Sequence, residues 1–162
     1  MFEIDYEFIP PLSYRDSTTS SFGTEMMNHN RPEEYLVGIL KQEIIVSRKK
    51  NDGQIIGFVS YKPNHLIKTK DGKSIACYYI TTIGVTKGWR GHGVANQFYR
   101  SIEEIVKKQT ESNFVATRTW STNKTHIKIL TDLGYENILT IENDRGSGIH
   151  TVYFSKKIFD NE

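Results

Sequence analysis

The sequence predicts one α/β (α+β) domain, a mixed and mostly antiparallel central sheet of about seven strands flanked by about four helices. Three observations carry that reading. Strand-like runs alternate with stretches of helical periodicity instead of segregating into blocks. Lys50-Asn51-Asp52-Gly53 joins two β-rich runs as a hairpin, because Asp-Gly supplies positive-φ positions. The chain of 162 residues, 37% hydrophobic and 25% charged, suits a single core, with no repeat or linker to divide residues 1–162.

Phe2 to Ile9 alternates like a strand until Pro10-Pro11 stops it, and a Ser/Thr-rich loop or weak helix follows from Ser13 to Gly23. A short helix begins near Arg31, with Pro32 and two acids in its first turn and Ile39 and Leu40 on its apolar face. Ile44 to Lys49 and Gln54 to Lys62 form the hairpin. Ile75 to Val85 is a longer strand, rich in β-branched and aromatic residues. From Val94 the apolar positions Val94, Phe98, Tyr99, Ile102, Ile105 and Val106 mark an amphipathic helix. Asn113 to Trp120 reads as a strand and Asn123 to Leu133 as a helix ended by Gly134. Glu136 to Ile141 and His150 to Ser155 read as the last two strands.

Composition narrows the partners. Lys plus Arg number 21 and Asp plus Glu 19, so the balance offers no electrostatic footprint for nucleic acid or an anionic membrane. The acidic start, MFEIDYEFIP, lacks the pattern of a signal peptide, and no run reaches membrane-spanning length; a cytoplasmic protein is expected. Cys77 is the single cysteine, and the five histidines show no ligand spacing, so no metal is implied.

The informative stretch is Arg90-Gly91-His92-Gly93-Val94-Ala95. A strand running through a glycine turn into a helix leaves unpaired N–H groups at the helix start, and these favour a bound phosphate. Glycines let a ligand approach those amides, and Arg90 and His92 add side-chain donors. The segment matches neither the P-loop pattern nor the dinucleotide fingerprint. It resembles the acyl-CoA pyrophosphate loop of the GNAT superfamily of N-acetyltransferases, whose pattern is Q/R-x-x-G-x-G/A. A second segment, from Asn123 to Gly134-Tyr135, is similar to that family's next helix.

The resemblance implies acetyl-CoA as co-substrate and assigns positions. Amides of His92, Gly93, Val94 and Ala95, in the loop opened by Arg90 and Gly91, would hold the pyrophosphate. Ile83 and Val85 would pair through their main chain with the pantetheine arm, and Asn123 would hold the cofactor while also serving as a helix N-cap. An amine would attack the thioester directly, so the protein must remove a proton from the ammonium and return one to the thiolate.

The family's usual acid, a tyrosine seven residues after the motif asparagine, is Leu130 here. His126, one turn earlier, stands where small residues are usual. Counting back by twos from Val85 puts Ile83, Thr81, Tyr79 and Cys77 on one strand face. Tyr79 and Thr81 then occupy positions where other members carry a base, with Tyr79 the leading candidate. Neither is a strong base, which tilts the reading toward an easily deprotonated amine: a lysine-type amine needs about 4.6 kcal/mol to lose its proton at pH 7, an α-amine about 1 kcal/mol.

The acceptor, a small-molecule or peptide amine, is expected between the Ser13 to Pro32 segment and the last hairpin. Tyr14, Trp120, Ser121 and Arg145 are the candidate contacts. A non-catalytic acyl-CoA-binding module is the alternative, motivated by Leu130, and a homodimer is compatible with either.

Overall fold

The computed structural model describes residues 37–109 and 112–159. The strand expected at Phe2 to Ile9, the Ser13 to Gly23 stretch with Tyr14, and most of the helix expected from Arg31 lie outside those residues. Residues 37–40 are helical. From there the elements follow in the expected order: β1 (Glu43–Arg48), β2 (Ile55–Lys68), β3 (Ser74–Val85), α1 (Val94–Val106), β4 (Phe114–Trp120), α2 (Lys124–Asp132), β5 (Glu136–Ile141) and β6 (Thr151–Lys157). A single 3-10 turn, Lys87–Trp89, leads into α1. Among the described residues the sheet has six strands in the order β1-β2-β3-β4-β6-β5. All neighbours are antiparallel except β3 and β4, which α1 connects as a crossover. No described helix is long and apolar enough to cross a membrane.

β2 runs six residues past the Lys62 end expected from sequence. Pro63 argues against a continuous strand because it cannot donate to a ladder. The structure accommodates it in an irregularity between Lys62 and His65, with Asn64 at φ 54°, and pairing resumes from His65↔Cys77 to Lys68↔Ser74.

The sheet buries a separate cluster on each face. On one, Val94, Phe98, Tyr99, Ile102 and Val106 of α1 and Leu130 of α2 pack on Val59, Tyr78, Ile80 and Val115. Burying each aliphatic or Phe side chain contributes about 1.5–3 kcal/mol. The approach of α1 depends on Gly57: a Cβ there would sit 2.8 Å from the Gly84 carbonyl oxygen and 3.2 Å from the Phe98 ring. On the other face Ile67, Cys77, Tyr79 and Ala116 form the second cluster, with Phe114, Ile138 and Tyr153 against it.

A bulge in β3 divides the strand between these faces. Tyr61 pairs with Ile80 and Ser60 with Thr82, so Thr81 is the extra residue. One inserted residue inverts the alternation. Cys77 and Tyr79 therefore face the second cluster, whereas Ile83 and Val85 pack with the first, beside α1. The count by twos that placed all of these side chains on one face is corrected by this bulge.

Candidate active site at the split between β3 and β4

β3 and β4 pair over only three positions, Tyr78↔Val115, Tyr79↔Ala116 and Ile80↔Thr117. Beyond that last rung β3 continues to Val85 against β2, and β4 continues to Trp120 against β6. Their facing edges carry no ladder there, so the sheet opens into a wedge. Unpaired strand edges are the main-chain groups an extended ligand arm can bond to. The bulge at Thr81 lies at the apex, and the RGHGVA loop follows the open end of β3.

Gly91 and Gly93 stand at φ 77° and 78°, which a residue with a Cβ adopts only with strain. Gly93 is the N-cap of α1 and no side chain caps the helix, so the first-turn amides are not taken by a capping group. A Cβ at either glycine would meet no heavy atom within 4 Å; the space beside these amides is open. Arg90 Nε donates to the Val85 carbonyl at 3.1 Å, and His92 Nδ1 lies 2.9 Å from the Arg90 carbonyl. Both expected donors thus also brace the turn. Val94 is buried under the helix and Ala95 half-buried, which leaves their backbone as the feature turned to the loop.

Asn123 is the N-cap of α2, its Oδ1 accepting from His126 N at 3.2 Å. Leu130 is fully buried in the first cluster. His126 does not point to solvent: its Nε2 lies 2.6 Å from the Tyr99 hydroxyl. Burial holds the His126 imidazole down at about 4 and pushes the Tyr99 phenol far up, so both are neutral near pH 7. The Thr117 hydroxyl acts on the Tyr99 phenol, and its Oγ1 donates to the Ile80 carbonyl at 3.0 Å. A satisfied chain of neutral groups thus runs from α2 to the last rung.

On the opposite face Tyr79 is 7% exposed, with the His65 ring 4.7 Å away. Desolvation drives its phenol well above the usual range, and the Arg118 charge opposes that only in part. Cys77 is buried, its Sγ donating to the His65 carbonyl at 3.3 Å, and burial pushes its thiol up to about 12. It is an inert thiol in this setting. The Thr81 hydroxyl lies 2.9 Å from Ser60 Oγ and also bonds the Gln42 side chain, tying the segment before β1 to the apex.

Trp120, Ser121 and Arg145 come together at the far end of β4. Arg145 lies over the Trp120 ring at 5.4 Å, and Arg145 Nε donates to Thr151 Oγ1 at 2.8 Å. Ser121 Oγ accepts from His150 N at 3.0 Å, fastening the last hairpin to β4. Thr151 in turn donates to Asp144 Oδ2 at 2.6 Å. The sequence reading missed Arg118, the first β4 residue past the last rung, whose Nη1 donates to the Tyr153 hydroxyl at 3.1 Å. Its signal was the one charge inside an otherwise uncharged central strand, FVATRTW. Among the described residues no group of His, Cys, Asp and Glu is placed to hold a metal.

A wedge between two parallel strands leading to a glycine-capped helix is the arrangement of an acyl-CoA-dependent acetyltransferase fold. The model of the Acetyltransferase (GNAT) family matches residues 12–135, and the chain belongs to that family. Arabidopsis thaliana NAA60 in complex with a bisubstrate analogue is similar in structure, with TM-score 0.60, 18% identity and coverage of 78% of this chain and 82% of that one. An aminoglycoside 6'-N-acetyltransferase complexed with coenzyme A has TM-score 0.60, 13% identity and coverage of 87% and 84%. A putative streptothricin acetyltransferase from Bacillus anthracis str. Ames, in complex with acetyl coenzyme A, has TM-score 0.57, 21% identity and coverage of 74% and 63%. No curated protein matches the chain in sequence.

Proposed function

We propose that the chain is an acetyl-CoA-dependent N-acetyltransferase in which a primary amine attacks the acetyl thioester directly. The observation that supports it most is the continuity of the wedge past Ile80↔Thr117 with the open amides at Gly93. In this reading the amides of His92 to Ala95 hold the pyrophosphate, and the open edge of β3 from Ile83 to Val85 receives the pantetheine arm. Asn123 supports the arm from the start of α2. Bound acetyl-CoA supplies an activated acyl group next to the bulge.

Tyr79 and Thr81 enter as orienting hydroxyls. A phenol pushed above its ordinary range stays protonated near pH 7 and cannot serve there as a base, but it can donate to a water or accept from one. The ammonium proton then leaves through water, and the thiolate is reprotonated without a tyrosine at position 130. One similar structure is an aminoglycoside 6'-N-acetyltransferase and another, NAA60, holds a bisubstrate analogue, so either a small molecule or a peptide amine fits this reading.

The buried Leu130 favours a second reading, an acyl-CoA-binding module without turnover. Thiol release from acetyl-CoA, screened over small amines and N-terminal peptides, separates the two. Gly93→Val tests the loop that both share: acetyl-CoA affinity should fall at least tenfold in calorimetry, and wild-type binding should raise stability by about 2.7 kcal/mol at 100 times the Kd. Unchanged affinity in the variant would remove the loop from the site.

A further inference from the structure

The second face of the sheet carries a charge that the described residues do not neutralise. Arg118 follows the last β3/β4 rung and is half-buried, on the side of Tyr79, Ala116 and Tyr153. Its guanidinium has five N–H donors. The hydrogen bond found for it goes to the neutral Tyr153 hydroxyl, with the Tyr153 ring centroid 6.0 Å from Cζ. Among the described residues no carboxylate lies within ion-pair distance of Arg118.

The acidic group with influence on it, Asp144, already accepts from Thr151 and lies 3.7 Å from Arg145 Nε. Asp144 is thus already engaged by Thr151 and Arg145, and it acts on Arg118 from beyond ion-pair distance. The imbalance reaches across the face: His65 is held below its ordinary range by burial first, then by Lys62 and Arg118. A half-buried cation without an anion is unfavourable unless a ligand supplies one. The planar guanidinium fork matches carboxylate and phosphate, whose two oxygens it bonds together.

We propose that Arg118 is a specificity-determining residue that binds an anionic group of the acceptor, carboxylate or phosphate, so that amino acids or phosphorylated amines are acetylated in preference to neutral amines. This rests on the acetyltransferase reading, and it deepens it. The same positive field repels the acceptor's ammonium proton, which favours the neutral amine that attacks. A site whose phenol is no base gains from a cation in that place. In the transfer the ammonium first gives one proton to water; the free amine nitrogen then bonds to the acetyl carbon, the carbon–sulfur bond breaks, and the nitrogen's second proton passes through water to the departing thiolate, leaving the amide, the coenzyme A thiol and one proton in solvent.

The test compares matched acceptors by thiol release: β-alanine against propylamine, L-phenylalanine against phenethylamine, and O-phosphoethanolamine against ethanolamine. For at least one pair, the wild type should favour the anionic member at least tenfold in kcat/KM. R118Q should bring that ratio near one while acetyl-CoA affinity stays unchanged, and R118K should retain part of it. The carboxylate and phosphate pairs show which anion is read. Equal rates within every pair in the wild type, or a preference that survives in R118Q, would overturn the proposal.

If no amine releases thiol, β-alanine, L-phenylalanine and O-phosphoethanolamine are titrated calorimetrically into the coenzyme A-bound protein. Binding of any of them that R118Q abolishes sustains the anion site although the enzymatic reading has failed. Absence of Arg118-dependent binding overturns it.

Discussion

The two faces of the sheet treat polar groups beside the same last rung in opposite ways. Under α1 and α2, Thr117, Tyr99 and His126 form a closed neutral chain in which each group has a partner. On the other face the hydrogen bond that Arg118 makes among the described residues goes to the neutral Tyr153 hydroxyl, and Arg145 and Asp144 close on Thr151. Burial makes both arrangements expensive. Among the described residues only the first closes on itself, so its groups are structural; the second leaves Arg118 without an ion pair beside the wedge, where a ligand can supply one. A buried polar group reads as a site when the fold around it leaves it unbalanced.

The first face can be broken through its packing. Gly57→Val should be the most damaging change, because the added atoms meet the Gly84 carbonyl oxygen and the Phe98 ring; a loss of about 3 kcal/mol is expected. The urea midpoint should fall, and acetyl-CoA affinity with it as α1 shifts. An unchanged midpoint would mean that α1 does not pack there as described.

The neutral pair can be broken by acid. Unfolded histidine titrates near 6.5 and folded His126 near 4, so between these values the unfolded chain binds the extra proton. The stability that His126 confers is complete above the unfolded value and is lost as pH falls toward about 4, by at most about 3 kcal/mol. Comparing urea midpoints at pH 7 and pH 5 for wild type and His126→Gln isolates this contribution. The variant should lose the part of the pH slope that belongs to the imidazole; identical slopes would place His126 in solvent.

The smallest stability effect belongs to the opposite face. Arg118→Met removes a half-buried charge and keeps much of the side chain's length. The melting temperature should stay within a few degrees of wild type or rise, a change of about 1 kcal/mol or less. A large loss would show that Arg118 is a structural group like Tyr99 and His126, and the distinction between the faces would collapse.

The geometry of the candidate cofactor loop was largely legible because backbone makes it. Gly91 and Gly93 announce positive φ, the apolar spacing from Val94 to Val106 announces the helix, and a strand before them completes the turn. Asn123 was legible as a cap for the same local reason. The opposite face, proposed to meet the acceptor, was less so, because side chains from β3, β4, β6 and the last hairpin meet there across large separations in sequence. Trp120, Ser121 and Arg145 were named, but Arg118 was read as part of a strand, because its half-buried place beside Tyr153 is set by pairing with β6.

The sequence by itself determined the order of the elements from β1 to β6, the helix that follows the glycine loop, and the resemblance carried by that loop. These depend on periodicity and on local φ, which neighbouring residues decide. Only the tertiary structure decided which way β3 faces after Thr81, since a bulge is visible only against a partner strand and inverts every later side chain. It also decided that Tyr99 answers His126 and that, among the described residues, no carboxylate comes within ion-pair distance of Arg118. Whether a polar group is satisfied depends on what the rest of the chain brings within about 3 Å of it, and no window along the sequence contains that distance.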